Sequence, residues 1–173
     1  MLFRSGVDSI EHGCLLGLEP DLLKMMADGN IYLVPTFTVF TFHATQGNSH
    51  AQAEAQGFRQ QHIDTVQQAL SAGVRVVAGT DAGGWEHGNN AKELELLVEA
   101  GMTSMQALVA ATGWAAGCLG LEDSIGTVQT GKFADLVVVD GDPLADIAML
   151  QDKDRILLVM KEGKVYLDRV SAA

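Results

Sequence analysis

The apolar pattern of this chain changes character once, near residue 120, and that change restricts the fold more than any other feature. Before it, short β-type runs alternate with helical stripes; after it, β-type runs follow one another directly. Alternation of strand and helix builds a parallel sheet covered by helices, whereas closely spaced strands build an antiparallel one. The expected fold class is α/β with a mostly β segment at its end. Three βα units cannot close a barrel that needs eight, so the first part is either an open sheet or part of a larger barrel.

Val7-Asp8-Ser9-Ile10 is the first expected strand. Pro20 at a first helical turn, the apolar face Leu22, Leu23, Met25 and Met26, and the Gly29-Asn30 stop predict a helix of two to three turns. Ile31-Tyr32-Leu33-Val34 is a second buried strand, ended by Pro35. Thr36 to Gly57 is rich in Thr, His, Asn, Gln, Ala and Gly and is expected to be a long loop or a loop holding a weak helix. Phe58, His62, Ile63, Val66, Ala69 and Leu70 fall on one helical stripe that runs to about Ala72 and stops at Gly73. Val74-Arg75-Val76-Val77-Ala78 is the third strand, and it runs into the glycine-rich turn 79–84. Two helices follow, residues 90–100 with Asn90 as N-cap and Glu93 three residues on, and 103–119 opened by a Thr103/Gln106 capping box. The remaining expected strands are Gly126-Thr127-Val128, 135–140, 156–160 and 164–167, separated by glycine-containing turns.

Composition narrows the function. Twenty-two acidic against eleven basic residues give a formal charge of −11, which disfavours nucleic acid and anionic membrane as partners. With 47% hydrophobic and 19% charged residues the chain is too apolar for a disordered protein. It has no apolar run of membrane-spanning length and no leader-like block in its first dozen residues, so a cytoplasmic location is the expectation. Cys14 and Cys118 are too few for a disulfide framework or a zinc cluster and are expected to be buried thiols.

In parallel α/β folds, ligand-binding groups gather at the carboxyl ends of the strands. Two such ends carry metal-competent side chains, His12 after the first strand and Asp81 after the third. A structural hydrogen-bonding role is the competing reading for each. A zinc site takes three or four protein ligands, and these are two. His62 lies on the apolar stripe of its helix and is read as a core or boundary residue. His43 and His50 sit in the Thr36 to Gly57 segment as solvated residues or substrate contacts. His87, in Trp85-Glu86-His87-Gly88, leaves the third strand end and is better placed to shape a site.

Four segments taken in order carry a resemblance: Gly6-Val7-Asp8-Ser9-Ile10-Glu11-His12-Gly13, Gly79-Thr80-Asp81-Ala82-Gly83, Ala110-Ala111-Thr112, and the stretch from Ile125-Gly126-Thr127 through Gly131-Lys132-Phe133-Ala134-Asp135 to Asp140-Gly141-Asp142-Pro143. Together they resemble the C-terminal part of a metal-dependent amidohydrolase, in the imidazolonepropionase-like branch that includes Xaa-Pro dipeptidases. The resemblance implies the last three strands of a (β/α)8 TIM-like barrel over residues 1–120 and a segment of a small β-sandwich over 121–173. It makes His12 a metal ligand, and Asp81 both a ligand and the residue that moves the proton during hydrolysis of a C–N bond. Gly83, Trp85 and His87 then line the substrate side. The implied cofactor is a divalent metal, with zinc the common choice for a His/Asp set. The implied substrate is a small-molecule amide, cyclic amide or peptide.

The chain departs from the family pattern in having no His-x-His pair. None of Lys24, Lys92, Lys132, Lys153, Lys161 or Lys164 occupies the position of the carbamylated lysine found in binuclear members. It therefore reads as a C-terminal fragment with an incomplete metal site, an exposed apolar seam, and self-association or pairing with a missing N-terminal half as its expected contacts. Two rival readings stand beside this one. A non-catalytic barrel remnant acting as an interaction or oligomerisation module predicts indifference to Asp81→Asn and His12→Ala. An anion-gripping protein built on the 79–84 turn lacks a Walker lysine and a dinucleotide fingerprint.

Overall fold

The computed structural model describes residues 6–171 other than Gly47, Gly84 and Glu86. The first strand, β1 (Ser9–Glu11), pairs in parallel with β2 (Tyr32–Val34), Ile10 opposite Leu33. Helix α1 (Pro20–Asp28) makes the crossover, with Pro20 in its first turn and Leu23 and Met26 buried. The third run, 74–78, joins β2 through a single parallel bridge, Leu33 to Val76. Leu33 N–H donates to Arg75 O at 3.0 Å and Val77 N–H to Leu33 O at 2.9 Å. Leu33 and Val76, both fully buried, therefore lie at the centre of a mixed α/β core.

The segment 36–57, expected as a loop or a loop holding a weak helix, is instead helix α2 (Phe37–Gln46) and the first part of α3 (Ser49–Ser71), whose remainder is the expected stripe helix. Local composition was a poor guide because tertiary contacts supply what propensity lacks. Phe37, Thr38 and Val39 are buried at the start of α2. The side-chain amides of Gln52 and Gln56 donate to Thr45 O and Ala44 O, each at 3.3 Å, serving carbonyls in the last turn of α2.

Helix α4 (Lys92–Glu99) starts later than expected, without a side-chain cap from Asn90. The Thr103/Gln106 capping box is present, but the helix it opens divides into α5 (Ser104–Ala110) and α6 (Gly113–Cys118). The break falls at Thr112, with φ −129° and ψ −91°, where the backbone of Gly126 presses in. A Cβ at Gly126 would stand 2.5 Å from Ala116 Cβ and 3.0 Å from Thr112 O. Gly126-Thr127-Val128 is correspondingly an open segment rather than a strand, with Val128 exposed.

The last segment is a three-stranded antiparallel sheet in the order β3 (Leu136–Val139), β4 (Ile156–Lys161), β5 (Lys164–Asp168). Both cysteines are free and half-buried rather than buried. Burial raises each thiol pKa, and the charges of Glu11 and Asp8 add to the effect at Cys118. No described helix is long and apolar enough to cross a membrane.

Candidate active site

Each of the three parallel runs is followed closely by a residue of left-handed backbone conformation that is not glycine: His12 (φ 65°) after β1, Thr36 (φ 57°) after β2 and Asp81 (φ 49°) after the 74–78 run. The described residues contain five such positions, so three of the five share one edge of one sheet. A β-branched residue such as Thr36 adopts this conformation only where its surroundings enforce it, at a cost of about 1–3 kcal/mol. Strain concentrated at strand carboxyl ends marks this edge as the candidate site.

His12 is exposed and held from two sides. Its backbone N–H donates to Val34 O at 2.8 Å, and its carbonyl accepts from His62 Nε2 at 3.1 Å. Its ring Nδ1 lies 2.7 Å from Thr36 Oγ1. The single hydroxyl hydrogen of Thr36 goes to Pro35 O, also at 2.7 Å, so the hydroxyl oxygen accepts from Nδ1–H. In the neutral ring that arrangement selects the tautomer with its hydrogen on Nδ1 and its lone pair on Nε2, the form a metal ligand requires.

His62 is the buried member of the pair, as its helical stripe implied, at 2% exposure. Its ring lies against Phe37 at a centroid distance of 4.2 Å. The ring of Phe40 meets both histidines edge to face, at 5.7 Å from His12 and 5.0 Å from His62. Burial pushes the His62 pKa down to about 4, outweighing the opposing effect of its hydrogen bond to the His12 carbonyl. His62 is therefore a neutral donor at ordinary pH.

Asp81 is exposed, and its carboxylate has no hydrogen-bond partner among the described residues. Its strand end reaches the sheet through Gly79, where a Cβ would stand 2.4 Å from Val34 Cγ1 and 4.0 Å from Thr36 Cγ2. Only glycine lets the chain pass this close to β2. With one strand between them, the His12 and Asp81 runs are spaced by roughly 10 Å of backbone, at ~4.8 Å per strand.

Beyond Asp81, the Trp85 indole N–H donates to Thr80 O at 2.7 Å and Gly83 N–H to Trp85 O at 3.3 Å. These bonds fold the loop back on its own strand end. Gly83 has φ 122° and His87 is exposed in a turn; Gly84 and Glu86 fall outside the described residues. His43 is half-buried at the end of α2 and His50 is exposed in α3.

Two groups at this edge were not apparent in the sequence. Thr36 read as the start of a loop, although its place after a β-run, like that of His12 and Asp81, was the available signal. Glu93 read as part of a helix start. It is instead fully buried, with Oε1 accepting from Phe37 N–H at 2.9 Å and Oε2 from Thr38 N–H at 2.8 Å and Thr38 Oγ1–H at 2.5 Å.

The chemistry of the exposed donors, an imidazole nitrogen with a free lone pair and an unpaired carboxylate, fits a divalent cation. Among the described residues no group of three or more His, Cys, Asp or Glu side chains is placed to hold a metal ion. Two such donors fall short of the three or four protein ligands that a zinc site takes.

The sequence profile of the amidohydrolase family matches residues 3–166. The chain belongs to the amidohydrolase family. Within that family its relatives place it in the Xaa-Pro dipeptidase-like branch. Ochratoxinase from Aspergillus niger is 30% identical over 169 residues, a match that covers 94% of this amidohydrolase and 34% of the relative. A Xaa-Pro dipeptidase crystallised with methionine in its active site superposes with a TM-score of 0.84 at 35% identity, over 95% of this chain and 41% of that one. The crystal structure of A. niger ochratoxinase gives a TM-score of 0.85 at 29% identity, over 97% and 38%. The chain therefore spans between about a third and two fifths of the length of these relatives.

Proposed function

We propose that this amidohydrolase chain supplies part of the active site of a metal-dependent hydrolase acting on C–N bonds of small amides, cyclic amides or dipeptide-like substrates. Residues 1–120 are the last three βα units of a (β/α)8 barrel and 121–173 a segment of the accompanying β-sandwich. The parallel order of β1, β2 and the 74–78 run, followed by the antiparallel β3 to β5 sheet, supports that division. The observation that carries the reading is the Thr36 hydroxyl on His12 Nδ1, which turns a bare Nε2 outward on the strand edge that also bears Asp81.

His12 Nε2 and a carboxylate oxygen of Asp81 would hold a divalent ion, zinc being the expected one, with further ligands from outside this pair. Such an ion supplies Lewis acidity and lowers the pKa of water. The second carboxylate oxygen of Asp81 accepts a proton from the attacking water and returns it to the leaving nitrogen. Trp85 and Gly83 shape the loop over that carboxylate, and His87 stands at its rim as a substrate contact.

The test is metal analysis together with hydrolysis of N-acyl amino acids, dipeptides and lactams, by the chain alone and with a co-expressed polypeptide carrying the preceding part of the fold. Turnover that disappears in Asp81→Asn and His12→Ala supports the reading. Turnover unchanged in both variants, or no bound metal and no turnover under either condition, contradicts it. A second reading, an interaction module, draws on exposed apolar side chains including Leu18, Leu119, Val128 and Tyr166. It predicts a stable oligomer in sedimentation that persists in both variants.

A further inference from the structure

We propose that Glu93 is a positioning residue for His12, acting through the Thr36–Thr38 turn to keep the imidazole in the tautomer that presents Nε2 outward. The proposal rests on the metal-site reading for its purpose, but its geometry stands independently. Three donors from the first two residues of α2 converge on the Glu93 carboxylate. Thr36, the residue immediately before them, is held in a left-handed conformation. Its hydroxyl is the group that accepts His12 Nδ1–H. The path from Glu93 as far as the Thr36 hydroxyl is buried, through Thr38, Phe37 and Thr36, and only its last link, to the exposed His12 ring, is part-buried.

A simple helix cap does not require this arrangement. An exposed Ser, Thr, Asp or Asn at the N-cap satisfies the same orphan donors without placing a carboxylate in the core. Here the acceptor comes from α4, the helix that follows the Asp81 loop, and spans 55 to 56 residues of sequence to reach α2. Glu93 thereby ties the helix that follows the Asp81 loop to the turn that contacts His12. A direct partner such as Thr36 sets the orientation and basicity of a ligating histidine, and losing one costs ~10–100-fold in metal affinity; Glu93 acts one step behind it.

The test uses ring-nitrogen NMR of His12 in the full chain, before any metal is added, in wild type, Glu93→Gln and Thr36→Val. Glutamine keeps the size of the side chain but turns an N–H₂ toward one of the N–H donors, so the turn should loosen. Wild type should show Nδ1 protonated and Nε2 bare, and both variants should show mixed tautomers. Mn²⁺ affinity should fall in parallel, by roughly tenfold or more. A folded Glu93→Gln protein with the wild-type His12 spectrum overturns the proposal. If Glu93→Gln does not fold, Thr38→Ala removes one donor and leaves the carboxylate in place; it should shift the tautomer balance in the same direction, and no shift overturns the proposal. Failure of wild type to bind Mn²⁺ would count against the metal-site reading, whereas the tautomer comparison, made without metal, decides the role of Glu93.

Discussion

His62 donates from Nε2 to the carbonyl of His12 at 3.1 Å, so a buried imidazole holds the backbone of an exposed one. The bond helps to keep His12 at φ 65°, a conformation with its own cost. His62→Leu removes the donor, leaves a carbonyl short of its partner and takes away the ring that packs on Phe37. Denaturant unfolding should show a loss of about 2–4 kcal/mol. His62→Gln, which retains an N–H donor, should lose less.

The two buried ionisable groups predict a specific pH response. His62 titrates near 4 in the folded chain against an ordinary 6.5, so the unfolded state binds more protons across that window and stability is lost as pH falls from 6.5 to 4. Burial raises Glu93 to about 7 against an ordinary 4.5, outweighing the donors from Thr38 and Phe37, so stability is lost as pH rises from 4.5 to 7. Each contribution is about 3 kcal/mol over its full window. The two slopes oppose one another between pH 4.5 and 6.5. Relative to wild type, Glu93→Gln should gain a rising dependence of stability on pH there, and His62→Gln a falling one, read from urea midpoints at each pH.

Gly79→Ala tests the close approach at the third strand end. The added methyl would meet Val34 Cγ1 at 2.4 Å, and overpacking of this kind costs about 1–3 kcal/mol. The expected result is a lowered unfolding midpoint together with shifted Asp81 and Thr36 amide resonances. An unperturbed spectrum would show that the strand end has room to move.

Trp85→Phe keeps an aromatic ring but removes the indole hydrogen bond to Thr80 O. If the loop beyond Asp81 forms one wall of the substrate site, loss of a bond of about 1 kcal/mol should raise KM roughly fivefold, with a smaller change in kcat. Steady-state kinetics on a dipeptide substrate would separate the two.

Much of this arrangement was readable from residue patterns, and the misses share a physical cause. The β-runs around Ile10, Leu33 and Val76 declared themselves because buried parallel strands are continuously apolar. The Pro20 helix start and the Thr103/Gln106 capping box are local chemistry, and both are present. Helix α2 and the first turns of α3 were obscured because contacts distant in sequence help to hold them, whereas the apolar stripe of the rest of α3 was legible. The start of α2 is held by Glu93, more than fifty residues away. His12 and Asp81 could be nominated from their positions after strands, whereas Thr36 and Glu93 owe their roles to partners that only the folded chain brings near.

The most direct measurement on the central claim is paramagnetic broadening by Mn²⁺ in the full chain, which registers even weak binding by an incomplete ligand set. Substoichiometric Mn²⁺ should broaden the His12 ring signals and the Asp81 carboxylate and amide signals first and together. The effect should disappear in both His12→Ala and Asp81→Asn, each shown to be folded by denaturant unfolding, with Asp81→Asn within about 0.5 kcal/mol of wild type because its side chain is exposed. Broadening confined to other acidic surfaces, or to one of the two residues without the other, would contradict a shared cation site at this strand edge.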